Sequence, residues 1–148
     1  MPPARRAVAG DLASLLELFR ASEVSAPASP RERADALWDR ILRSESTTVF
    51  VAEAGGRVVA TCTLIVAPNL LRGGRGHAFL ENVVTHPAHR GRGHGRAVVR
   101  AALKEAWRSD CHHVLLQSGR ADPRVHRFYE SCGLKPGLRV GYTAPRPS

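Results

Sequence analysis

The sequence predicts one α/β domain spanning residues 1–148, and three observations carry that prediction. Apolar positions switch along the chain between the 3.6-residue period of helices and the β-branched or alternating runs of strands. The resulting elements interleave in the order β-α-α-β-β-β-α-β-α-β, with no internal repeat and no linker. The 148 residues are the length of one ordinary domain, too short for a two-domain enzyme.

A short strand is expected around Ala4 to Ala7. Leu12, Leu15, Leu16 and Phe19 follow at the i, i+3, i+4, i+7 spacing of one helix face. In Ser29-Pro30-Arg31-Glu32 a capping serine, a proline at the first helical position and a glutamate three after the cap announce a second helix, running to about Arg43. Thr47 to Ala54 and Arg57 to Ala67 are β-rich and flank Gly55-Gly56, which reads as a hairpin. Pro68 to Gly76, with three glycines and two arginines, reads as a loop before a strand over Ala78 to Thr85. After the Gly-, Arg- and His-rich stretch His86 to Gly95, a helix is expected with Val98, Val99, Ala102, Leu103, Ala106 and Trp107 on its apolar face. His113 to Gln117 reads as a short buried strand, Pro123 to Cys132 as a helix, and Leu138 to Thr143 as a last strand.

Composition excludes several classes. Hydrophobic residues at 43% and charged residues at 24% are ordinary for a globular protein and argue against disorder or a coiled coil. The apolar runs are far shorter than the roughly 18 residues of a membrane span, and no signal core follows Arg5 and Arg6. Cys62, Cys111 and Cys132 are odd in number and widely spaced, which supports neither a disulfide framework nor a thiolate zinc site. Reduced thiols and a cytoplasmic location are expected. The outlier is charge: 22 Lys plus Arg against 13 Asp plus Glu give +9, which asks for an anionic partner.

The most informative unit is the strand, glycine loop and helix from Glu81 to Arg108. Arg90-Gly91-Arg92-Gly93-His94-Gly95 lies where unpaired backbone N–H groups and the positive end of a helix dipole make an anion site. Gly95 is followed by Arg96-Ala97 rather than Lys-Ser/Thr, so the loop is not that of a nucleoside triphosphatase. Counting from Gly91 puts Arg96 at the third glycine of the dinucleotide fingerprint, and that reading fails too.

A third pattern fits. Arg90-x-x-Gly93-x-Gly95 after a strand resembles the acyl-CoA pyrophosphate loop of the GNAT superfamily of N-acetyltransferases. Glu81-Asn82-Val83-Val84-Thr85-His86-Pro87 is similar to that family's central strand. Phe128-Tyr129-Glu130-Ser131-Cys132-Gly133-Leu134 is similar to its other hallmark, in the family's order. The resemblance is sharpest from Glu81 to Leu134 and implies a mixed, mostly antiparallel sheet flanked by helices. One position departs from the family: Asp122 stands where members often carry an asparagine that touches the cofactor.

The resemblance also implies a reaction, direct attack of a primary amine on the thioester of acetyl-CoA as co-substrate. It implies that backbone N–H groups of Val83 and Val84, with Thr85 beside them, meet the thioester end. Arg90, Gly91, Arg92, Gly93, His94, Gly95 and Arg96 would hold the pyrophosphate. Tyr129 matches the family tyrosine that protonates the departing thiolate, and Glu81 is the candidate base for the incoming amine. The acceptor expected first is a small-molecule amine. A protein lysine or N-terminal amine comes second.

Other signals carry less. The groups His86, His89, His94 and Cys111, His112, His113 lack a recognised ligand spacing, so no metal is expected. Arg96, Arg100, Lys104 and Arg108 recur every four residues as a basic helical stripe, which keeps a nucleic-acid-binding module as the second function class. Against it stand the 5% aromatic content and the absence of a reader motif. Residues 90 to 108 contribute +5 of the +9, so the excess gathers in and behind the phosphate loop. Such folds commonly dimerise, and a homodimer is left open because an exposed edge strand reads the same either way.

Overall fold

The computed structural model describes residues 3–148. Its elements are β1 (Arg5–Arg6), α1 (Leu12–Ser22), α2 (Arg31–Arg43), β2 (Thr47–Ala54), β3 (Arg57–Ala67), β4 (Gly76–Thr85), α3 (His94–Arg108), β5 (Cys111–Leu116) and α4 (Pro123–Ser131). They fall into two compact units, one running to Leu116 and one over Gln117–Ser148.

The first unit is built on one five-stranded sheet in the order β1-β2-β3-β4-β5. The first three pairings are antiparallel and β4 pairs with β5 in parallel, which is the mixed, mostly antiparallel sheet expected. Gly55 and Gly56, at φ +58° and +76°, close the β2–β3 hairpin in two residues, a turn that favours glycine at both places. The parallel pairing needs a crossover, and α3 supplies it.

Alternation along the strands sorts the two faces. Val49, Val51, Val58 and Val84 pack with Leu12, Leu15, Leu16 and Leu18 of α1 and with Ala34 and Trp38 of α2. Trp38 is held further by its indole N–H, which donates to the Ala9 carbonyl at 3.1 Å. Phe50 and Cys62 face the other way, where the Cys62 thiol meets α3 at Val98. Helices therefore cover both faces of the sheet.

Three sequence expectations need correction. Ser29 does not cap α2; the helix starts at Arg31, and the Pro30 carbonyl at the cap accepts from Arg33 and Ala34. Trp107 is 53% exposed rather than on the buried face of α3. It lies nine residues, about two and a half turns, beyond Val98, which puts it on the opposite side of the helix.

In the second unit, α4 begins at its cap Asp122 and is followed by Gly133 at φ +95°, the left-handed residue that commonly ends a helix. The strand expected over Leu138 to Thr143 is not formed. Leu138, Val140 and Tyr142 alternate as a strand would, but all are exposed. Alternation makes a strand only where a neighbour completes the ladder, and Gly141 interrupts the run.

Candidate active site

The site grows from a break in the regularity of β4. Its first half is an ordinary strand, paired with β3 on one side and β5 on the other, and the ladder to β5 ends at Leu80 opposite Leu116. Residues 81 to 85 continue along β3 without a β5 partner, because β5 ends at Leu116.

Just past its last pairing with β5, β4 carries a bulge. Glu81 is opposite Thr63 and Val84 opposite Thr61, so Asn82 and Val83 together face the single residue Cys62. Asn82 takes φ +50°, a left-handed conformation that asparagine tolerates better than most non-glycine residues. Glu81 is exposed, Val83 and Thr85 are half-buried, and Val84 is buried in the α1 and α2 core. The candidate base and the candidate backbone donors thus stand together on one short, bulged segment.

Beyond Thr85 the chain turns through Pro87 to His89. The His86 ring accepts from the Ala88 N–H at 3.0 Å, and the His86 N–H donates to the Val59 carbonyl at 2.8 Å, pinning the strand exit. Gly91 and Gly93 follow at φ +76° and +87°, and α3 starts at His94 with Gly93 as its cap. The Gly93 carbonyl accepts from Ala97, so His94, Gly95 and Arg96 form the first turn of α3, whose backbone N–H groups precede the first intrahelical bond. Together with the helix dipole they make a backbone anion site.

The residues present suit a pyrophosphate. Gly95 is buried, and His94 is buried with its Nδ1 lacking a hydrogen-bond partner among the described residues. The His89 ring lies 6.1 Å from that of His94 and 5.5 Å from that of His86. Partial desolvation, then Arg92 and the two neighbouring imidazoles, hold His89 below the ordinary histidine range. Among the described residues no group of three or more His, Cys, Asp or Glu is arranged to hold a metal ion.

The remaining expected residues lie in the second unit. Tyr129 is on α4, its ring packed edge-on against Phe128 at 5.2 Å, and its carbonyl accepts from Cys132 and Leu134 at the helix end. Asp122 caps α4: its carboxylate accepts from the Arg124 N–H at 2.9 Å and pairs with the Arg124 guanidinium at 3.0 Å. Arg124 holds that carboxyl below the usual range, and its charge is offset locally.

A cavity of about 270 Å³ opens between α1 and the β2–β3 turn, with His86 and His89 at one end. Its walls include none of Glu81, Val83 or the Gly93–Gly95 turn, so it is not the site described here. Of the basic stripe on α3, Arg108 is paired with Glu105, to which it donates at 2.8 Å, and that carboxylate is shared with Arg6 of β1. Sequence reasoning missed the bulge at Asn82 and the contact of Cys62 with α3 behind it. An asparagine inside a β-branched run was the available signal for the first; for the second there was none.

The profile of the acetyltransferase (GNAT) family matches residues 12–134. A glucosamine 6-phosphate N-acetyltransferase of Trypanosoma brucei brucei is 32% identical over 125 residues, 84% of this chain and 83% of that protein. Among solved structures, one of an Agrobacterium tumefaciens protein described as an acetyltransferase superposes with a TM-score of 0.89 at 45% identity, covering 97% of this chain and 99% of that one. A Trypanosoma brucei acetyltransferase superposes with a TM-score of 0.80 at 26% identity, covering 98% and 100%.

Proposed function

The chain belongs to the acetyltransferase (GNAT) family and is an acetyl-CoA-dependent acyltransferase; from that premise we propose that it acetylates the amine of a phosphorylated amino sugar, glucosamine 6-phosphate or a close analogue. The observation that carries the reading is the continuous segment from the bulged end of β4, beyond its last β5 pairing, into the Gly93-capped start of α3. It offers one molecule a place for a thioester at one end and for a pyrophosphate at the other. The acceptor class is supported by the trypanosomal relative, whose similarity spans most of both chains.

Acetyl-CoA supplies an activated acetyl thioester, and the roles of the protein follow from what that chemistry demands. The Glu81 carboxylate, exposed beside the bulge, takes the proton of the attacking ammonium directly or through water. Backbone N–H groups of Val83 and Val84 stabilise the charge that develops on the carbonyl oxygen, and Thr85 flanks them. The Tyr129 phenol returns a proton to the departing sulfur. Arg90, Gly91, Arg92, Gly93, His94, Gly95 and Arg96 bind the pyrophosphate, chiefly through the backbone of the α3 start. Residues 1–148 act as one acetyltransferase domain in this scheme, supported by a family match that runs through both compact units.

The test is thiol release from acetyl-CoA with glucosamine 6-phosphate, glucosamine, aminoglycosides, amino acids and lysine peptides as acceptors. The phosphorylated sugar is expected to give the highest kcat/KM. A peptide or an aminoglycoside turning over faster would overturn the acceptor class, and no acetyl transfer to any amine would overturn the proposed reaction.

A further inference from the structure

We propose that Cys62 is a positioning residue: from the place on β3 opposite the β4 bulge, its thiol donates to the Val98 carbonyl of α3 at 3.2 Å and sets the spacing between the bulge and the phosphate loop. The inference rests on the acetyl-CoA reading above.

Two facts about one side chain combine here. The register passes from Thr61 opposite Val84 to Thr63 opposite Glu81, so Cys62 is the single β3 residue spanned by Asn82 and Val83. Strand alternation turns it to the α3 face, where it is wholly buried and meets Val98, one turn beyond the start of α3 at His94. Burial pushes the thiol well above its usual range, which keeps it protonated and therefore a donor.

The spacing matters because the two ends of the site bind one molecule. A thioester at the bulge and a pyrophosphate at Gly93 to Gly95 are joined covalently, so both ends gain full contact only if their separation matches the ligand. Along the chain they are connected by residues 86 to 93, which include Gly91 and Gly93. The Cys62 to Val98 contact ties the two ends directly through the core, and a valine at 62 would fill the space without a donor.

The test compares a ligand that uses both ends with one that uses a single end. Calorimetry would measure acetyl-CoA and adenosine 3′-phosphate 5′-diphosphate, the nucleotide half of CoA, on wild type, Cys62→Ser and Cys62→Val. Cys62→Val is expected to weaken acetyl-CoA about tenfold, the worth of one hydrogen bond, while leaving the nucleotide half unchanged. Cys62→Ser keeps an O–H donor and is expected to stay within about threefold of wild type for both. Equal weakening of both ligands, or unchanged acetyl-CoA binding by Cys62→Val, would overturn the proposal. Should Cys62→Val not fold, Cys62→Ala is read by the same comparison. Wild type that binds neither ligand would instead defeat the acetyl-CoA reading itself, so the two failures are separable.

Discussion

Glu81 and Val84 share one face of β4 although they are three residues apart, because their partners Thr63 and Thr61 are two apart on β3. In a regular strand such residues would point to opposite faces. Asn82 at φ +50° absorbs the extra residue, so an exposed carboxylate and a core-anchored valine bracket the bulge. Asn82→Gly is expected to keep stability and turnover near wild type. Asn82→Val is expected to cost about 1–2 kcal/mol in urea unfolding, from forcing a β-branched residue into the left-handed region, and to lower kcat.

The acid and base assignments make a paired expectation. Glu81→Gln and Tyr129→Phe should each reduce kcat by roughly 100- to 10,000-fold, the usual range for removing a proton-transfer group. Acetyl-CoA affinity measured by calorimetry should stay near wild type in both. Full turnover in both variants would sink the scheme.

At the start of α3, Gly93 holds φ +87°. Gly93→Val adds a branched side chain to a left-handed cap beside the anion site, and acetyl-CoA titration is expected to show no measurable binding. Unchanged affinity would mean that the pyrophosphate is held elsewhere.

Glu105 gives a pH prediction. Hydrogen bonds from Arg108, opposed by partial burial and aided by Arg6, lower its carboxyl from 4.5 to about 2. A depressed carboxyl contributes stability that is complete above its unfolded value and is lost as pH falls toward the folded one. Glu105→Gln is therefore expected to be less stable than wild type by about 1 kcal/mol at pH 7, the partners being largely exposed arginines. The gap should narrow as pH drops from 4.5 toward 2. A gap independent of pH would assign the loss to packing.

Much of the site was legible because its chemistry depends on residue types in a fixed order. Glycines at 91, 93 and 95 between a strand and a helix state an anion site in one dimension, and the structure places α3 with Gly93 as its cap. Asp122 stands where the resemblance has asparagine; as the cap of α4, paired with Arg124, it has a local structural role. The strand read at Leu138 to Thr143 failed for the opposite reason, since alternating apolar residues describe what a segment could pair with and not whether a partner is in reach.

The sequence by itself determined the helices, the hairpin and the glycine loop before α3, because each is set by contacts within a few residues: period, cap, turn and glycine. Only the tertiary structure decided where the β4–β5 ladder ends, that Asn82 bulges rather than pairs, and that Cys62 sits behind the bulge with its thiol on α3. Those features depend on register between segments far apart in the chain. A shift of one residue in register moves every side chain to the other face, and no local pattern at Cys62 records which register wins.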